Sequence, residues 1–188
     1  MEIFVNRIVL SSLAAAAAIM SSSPAQAQGF NPFQIGASGG VALPMGDLKQ
    51  VTNTGYNIAL AVGLKSQFSP IGVRAEAAWN QFGFKNNVVG ANGSINIPAF
   101  TGNIVLGLPI AMFSPYAIGG VGLYRPSASI NGGGTSNSEN DFGFNVGGGI
   151  KIPASTSFET FIEARYHRVN AQGGGTYTFV PITFGVMF

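Results

Sequence analysis

The sequence predicts an all-β fold, an eight-stranded antiparallel up-and-down transmembrane β-barrel preceded by a cleavable signal peptide. Three observations carry this. First, apolar residues recur at every second position: near the C-terminus Val180, Ile182, Phe184, Val186 and Phe188 form one file, against Phe179, Pro181, Thr183, Gly185 and Met187. A period of two belongs to a strand, whose successive side chains point to opposite faces. Second, the chain is 46% hydrophobic but only 9% charged, where soluble domains carry about a quarter charged residues. No apolar run reaches the ~18 residues of a membrane-spanning helix, so the hydrophobicity has to be spent in alternation. Third, 27 glycines and 11% aromatics suit strands and turns better than helices.

Residues 1–27 read as the signal peptide. Arg7 gives the positive start, Ile8 to Met20 the apolar run, Ser21 to Pro24 the helix break, and Ala25-Gln26-Ala27 the small-residue cleavage site. The barrel domain is then residues 28–188. No cysteine follows the cleavage site, and none occurs anywhere, which removes a lipid anchor on cysteine, disulfides and thiolate chemistry together.

Eight alternating segments follow, each near the length that a tilted membrane strand requires. The first, Phe33 to Leu43, places Ile35, Ala37, Val41 and Leu43 on one face. In the second, Tyr56 to Lys65, the file Tyr56, Ile58, Leu60, Val62, Leu64 opposes Asn57, Ala59, Ala61, Gly63 and Lys65. The third, Val73 to Phe82, sets Val73, Ala75, Ala77 and Trp79 against Arg74, Glu76, Ala78 and Asn80. The fourth lies around Pro98 to Leu106, with Thr101 and Asn103 on its polar face and Pro98 expected near an end or a bulge. The fifth, Tyr116 to Arg125, is too rich in glycine for its faces to be read. The sixth, Phe142 to Ile152, opposes Phe142, Phe144, Val146, Ile150 and Ile152 to Gly143, Asn145, Gly147, Gly149 and Lys151. In the seventh, Phe158 to Val169, Thr160, Ile162, Ala164 and Tyr166 oppose Glu159, Phe161, Glu163, Arg165 and His167. The eighth is the terminal strand, Tyr177 to Phe188.

Connections alternate in character. Short ones containing Pro70, Pro109 with Pro115, and Pro153 join segments two to three, four to five and six to seven. Longer or Gly/Asn-rich ones span Met45 to Gly55, Lys85 to Ser94, Pro126 to Asp141 and Ala171 to Thr176. Ser127 to Asn140 reads as a flexible loop. Short turns at one end and longer loops at the other are the asymmetry of a membrane barrel.

The charges decide which face is lipid. Lys65, Arg74, Glu76, Lys151, Glu159, Glu163 and Arg165 fall opposite the apolar files, and His167 shares their side. A Lys or Arg facing lipid at mid-bilayer costs about 2–4 kcal/mol. In a narrow lumen the four cations and three carboxylates can pair instead. Too few charges remain to cover a water-facing exterior. Tyr56, Trp79, Phe142 and Tyr166, near strand ends, suit an interfacial aromatic girdle.

The order of these motifs resembles the small outer-membrane β-barrel family that includes the OmpA and OmpX barrels. The residues that carry the likeness are Leu43-Pro44-Met45-Gly46-Asp47, Val73-Arg74-Ala75-Glu76, Pro115-Tyr116, Phe142 to Gly149, Glu163-Ala164-Arg165-Tyr166-His167 and Pro181 to Phe188. The resemblance implies residence in the bacterial outer membrane among lipid and lipopolysaccharide. It also implies that the insertion machinery reads the C-terminal strand through Phe184, Val186 and Phe188. The sequence leaves the oligomeric state open, with a monomer as the expectation. It leaves activity open, because the family is functionally mixed and fold does not fix function.

Catalytic, cofactor and metal sites find little support. His167 is the sole histidine, and no serine shares its face beside it, as a lipid A acyl-chain enzyme would need. One histidine without cysteine makes a transition-metal site improbable. Gly119-Gly120-Val121-Gly122 and Gly147-Gly148-Gly149 precede no helix, so neither cradles phosphate. The mild net charge of +2 contains no basic run for nucleic acid. Eight strands leave a lumen that side chains can fill, and small residues inside it leave room for Tyr116, Phe161 or Phe179 from facing strands. The expectation is therefore a scaffold that displays outer loops around a filled polar lumen, with a narrow channel for small or apolar solutes as the alternative and the lipid A enzyme a more distant third.

Overall fold

The computed structural model describes residues 32–66, 69–85, 92–108, 114–130, 140–153, 158–171 and 174–188. The expected signal peptide and the expected start of the barrel domain at residue 28 lie outside them. The elements run β1 (Phe33–Met45), α1 (Gly46–Val51), β2 (Gly55–Lys65), β3 (Ile71–Gly83), β4 (Gly93–Gly107), β5 (Ser114–Tyr124), β6 (Ser127–Ile130), β7 (Asp141–Pro153), β8 (Glu159–Asn170) and β9 (Thr176–Met187). Each barrel strand pairs antiparallel with the next, β5 passing on to β7 while β6 pairs with β4, and β1 pairs with β9. The ring β1-β2-β3-β4-β5-β7-β8-β9 is therefore closed with eight strands. Closure removes the unpaired edges that an open sheet would expose.

The alternation read from the sequence holds in every strand whose faces it fixed. Ile58, Leu60 and Phe184 are 56–60% exposed on the outer wall, while Arg74, Glu76, Glu163 and Arg165 are 2–7% exposed inside. The glycine-rich β5 also has defined faces: Tyr116, Ile118 and Tyr124 point in and are buried, and Val121 and Leu123 point out.

Differences concentrate at the end of the barrel that bears the longer loops, called here the loop end; the opposite one is the turn end. The stretch from Met45 to Gly55 contains a helix instead of a plain loop, and its Leu48 is buried against Ala42, Phe82 and Phe179. Thr52 closes α1 by donating its hydroxyl to the Leu48 carbonyl at 2.7 Å, and it bridges to Phe84. Strand β4 begins at Gly93 and carries Pro98 in its interior, not at an end. The first four residues of the expected Ser127 to Asn140 loop form β6, in the same register along β4 as β5. The break between β5 and β6 falls at Arg125-Pro126, facing Pro98 and Ile97. Arg125 N–H donates to the Pro98 carbonyl at 2.9 Å. A strand residue presents its nitrogen and oxygen to the same side, so Pro98 turns its missing donor toward this break, where Pro126 lacks one too. Proline is tolerated here because the ladder is interrupted anyway.

Candidate functional site: the barrel lumen and its wall

Inward-facing residues of all eight barrel strands meet in the lumen and sort into three layers. At the loop end is an apolar plug in which Phe82, Phe179, Ile97 and Val169 are fully buried, with Tyr124 beside them and Leu48 of α1 laid across. Phe82 and Phe179 meet edge-on with centroids 5.5 Å apart, and His167 stacks on Phe179 at 4.9 Å. His167 Nδ1 lies 2.9 Å from the Tyr124 hydroxyl. Its direct partners are thus aromatic, in a lumen that it shares with Glu163 and Arg165 on the same face of β8. Below it, Asn57 donates to Asn80 (2.7 Å), which donates to the Ile97 carbonyl (3.0 Å).

The middle layer is ionic. Arg165 grips Glu76 with two parallel bonds, Nη1 to Oε2 at 2.5 Å and Nη2 to Oε1 at 2.9 Å, and its Nε reaches Glu163 Oε1 at 2.7 Å. Arg74 hydrogen-bonds Glu163 and lies 3.7 Å from Glu76. Tyr116 donates its hydroxyl to Glu163 Oε2 at 2.7 Å, and Asn103 donates to Glu76 Oε2 at 3.1 Å. Asn145 in turn donates to Asn103 Oδ1 at 2.9 Å. Two guanidinium groups and two carboxylates cancel, and Tyr116 and Asn103 add neutral donors to the carboxylates, while Arg74 Nε alone of the square's side-chain nitrogens and oxygens is buried without a hydrogen-bond partner.

The third layer sits at the turn end. Lys65 Nζ lies 2.6 Å from Glu159 Oε1 and Lys151 Nζ 3.6 Å from Glu159 Oε2, all partly exposed. The single charge network expected from sequence is therefore two: a neutral buried square of Arg74, Glu76, Glu163 and Arg165, and a separate trio at the mouth.

Tyr116 is one of the rings expected to fill the lumen, although the faces of its glycine-rich strand could not be read; in the structure it lies opposite Gly149 in the ladder. A methyl placed on Gly149 would stand 2.6 Å from the Tyr116 hydroxyl oxygen, and one on Gly185 would stand 2.6 Å from a ring carbon of Phe161. These two glycines make room for the large rings of facing strands, as small lumen residues were expected to do. Arg168 was missed. It is exposed, and the alternation of β8 turns it outward, two residues from the loop-end terminus of its strand.

On the wall, Tyr56, Trp79, Phe142 and Tyr166 all point outward in the loop-end half of their strands. Tyr56 donates its hydroxyl to Gln81 at 2.6 Å. Of the terminal residues, Phe184 and Phe188 are exposed and Val186 half-buried, all on the outer face of the strand that closes the ring against β1. No group of three or more His, Cys, Asp or Glu side chains able to hold a metal occurs among the described residues.

Solved structures of other small barrels share the architecture. Neisserial surface protein A (NspA) is 14% identical with a TM-score of 0.66, over 84% of this chain and 96% of that one. Ail, the attachment invasion locus protein of Yersinia pestis, solved in complex with the heparin analogue sucrose octasulfate, is 18% identical with a TM-score of 0.54, over 84% and 100%. The N-terminal β-barrel domain of Pseudomonas aeruginosa OprF is 12% identical with a TM-score of 0.50, over 83% and 96%. No curated protein matches the chain in sequence. At these identities the likeness speaks for the fold alone. The family described as outer membrane protein beta-barrel domain, in contrast, matches residues 12–188, nearly the whole chain, in keeping with its inside-out arrangement of charge. The protein belongs to that family and is a β-barrel of the bacterial outer membrane.

Proposed function

We propose that this barrel is a non-enzymatic, non-conducting surface scaffold whose working parts are its loop-end connections. One observation carries the reading: the lumen is packed across its section. Fully buried Phe82, Ile97 and Phe179 lie above a neutralised ionic square, with α1 folded over them. A solute would have to break both layers. The only histidine gives its Nδ1 to Tyr124 and its ring face to Phe179, with Nε2 buried away from the surface, and the Glu76 and Glu163 carboxylates are committed to arginines. Neither arrangement leaves a base or an acid poised toward a substrate.

In this reading residues 1–27 are removed on export, and the insertion machinery takes β9 by its outer file of Phe184, Val186 and Phe188. The closed ring functions as a monomer, since its strand pairing needs no second copy. Tyr56, Trp79, Phe142 and Tyr166 anchor the loop-end half at the lipid interface. Arg168, outward just beyond that girdle, faces the phosphates of outer-leaflet lipopolysaccharide, where an interfacial cation is favoured.

Two measurements test it. An epitope placed within 131–139 should be detected on intact cells, and detection only after permeabilisation would refute surface display. The purified protein in planar bilayers should give no conductance steps, and reproducible steps would make it a channel. Folding is checked in the same preparations by gel mobility, which should differ between unheated and boiled samples.

A further inference from the structure

The turn-end mouth opens on a cavity of about 670 Å³ that the scaffold reading does not use. Its inner lining includes Gln34, Lys65, Tyr116, Lys151, Glu159 and Met187, with Arg74 as its floor. Arg74 is neutralised within the ionic square. What remains is two ammonium groups sharing one carboxylate. Lys65 takes Glu159 at 2.6 Å; Lys151, at 3.6 Å, is beyond hydrogen-bond range of the other oxygen and rests 5.6 Å above the Tyr116 ring. The Lys151 side chain is only 15% exposed, so water does little to solvate its charge.

The sequence supplies no further side-chain carboxylate for this place. The chain has seven acidic residues. Glu2 falls in the expected signal peptide and Glu139 in the sequence between β6 and β7; Asp47 belongs to α1 and Asp141 to the start of β7, both at the loop end; Glu76 and Glu163 are paired within the square. The turn-end connections 66–70, 108–113 and 154–158 contain no acidic residue at all. One lysine charge therefore has no side-chain counterpart in a confined, partly apolar cavity, where a counter-charge is worth more than in open water.

We propose that this cavity binds a small amphipathic anion, a carboxylate or phosphate head on a short apolar tail. The head sits between the ammonium groups of Lys65 and Lys151, and the tail lies against Val105, Tyr116 and Met187, which also line the space. The site rests on the barrel fold and its charge count, not on loop display. Given the loop asymmetry it opens toward the periplasm.

The test uses the purified mature protein in a neutral detergent. Sodium hexanoate and inorganic phosphate are titrated separately, followed by calorimetry and by the methyl resonance of Met187. Hexanoate should saturate and shift that resonance. Lys151→Met should weaken binding at least tenfold, Glu159→Gln should tighten it several-fold by freeing both lysines, and Arg168→Gln on the outer wall should leave it unchanged. Absence of saturable hexanoate binding to the wild-type protein would overturn the site. Equal affinity for inorganic phosphate would overturn the role of the tail. Should Lys151→Met fail to fold, Lys65→Gln and the wild-type Met187 shift still decide the matter.

Discussion

Replacing Glu163 by glutamine probes the centre of the lumen most directly. The Glu163 carboxylate receives Arg74, Arg165 Nε at 2.7 Å and the Tyr116 hydroxyl at 2.7 Å, in a side chain only 2% exposed. The replacement amide is nearly the same size but neutral, so packing is preserved while the square changes from two cations and two anions to two cations and one anion. Its nitrogen would also turn a donor toward a guanidinium that is itself only a donor. Leaving a buried charge without its partner costs about 3–5 kcal/mol, whereas loss of one ordinary hydrogen bond would cost about 1 kcal/mol. The two magnitudes are far enough apart to be told from each other. At the mouth, Glu159→Gln should cost about 1 kcal/mol or less, because that carboxylate is 28% exposed and its pairs are partly solvated. A double variant, Arg74→Gln with Glu163→Gln, restores neutrality and should be less destabilised than the sum of the single changes. Urea unfolding in lipid vesicles, followed by the emission of Trp79, the only tryptophan, measures all of these proteins. A Glu163→Gln variant within about 1 kcal/mol of wild type, or strict additivity in the double variant, would refute a coupled, desolvated square.

The outer wall gives a second set of outcomes. Leu60, 60% exposed at the middle of β2, should cost about 2–4 kcal/mol when replaced by Arg, and Tyr56 at the loop-end margin about 0–1 kcal/mol; the same unfolding assay measures both, and equal costs would argue against a lipid-facing wall. Trp79 emission should be quenched by lipids brominated close to the headgroup more than by those brominated at the chain ends, since Trp79 lies in the loop-end half of β3. Gly149→Val should push Tyr116 from its place over Glu163 and cost about 1–3 kcal/mol by overpacking, seen as a lower unfolding midpoint. Gly102→Ala, with open space around its site, is the neutral comparison.

The alternation of Tyr56 to Lys65 and Val73 to Asn80 was legible because large apolar side chains recur in one file while the other holds only small or polar residues. Lipid outside and a desolvated lumen inside enforce that contrast position by position. It failed in β5, where Gly119, Gly120 and Gly122 carry no such contrast; that Tyr116 fills the lumen was expected, but the faces of its strand and its place opposite Gly149 come from the ladder. Reading residues 127–130 as loop also followed from composition. Serine and alanine there form a strand because β4 continues past Pro98 and offers its backbone donors and acceptors.

The charged lumen, too, divides between what order along the chain can say and what it cannot. That Lys65, Arg74, Glu76, Lys151, Glu159, Glu163 and Arg165 face inward follows from period two alone. Which cation meets which carboxylate depends on strands 89 residues apart in sequence, as for Arg74 with Glu163 and Glu76 with Arg165. The closure of β1 on β9 and the stagger of the strands place them side by side. The same closure parts Lys65, Lys151 and Glu159 from the square and leaves two lysines sharing one side-chain carboxylate at the turn-end mouth. Local sequence sets the face a side chain takes, because that is a property of one strand; the partner it finds across the lumen is a property of the whole ring.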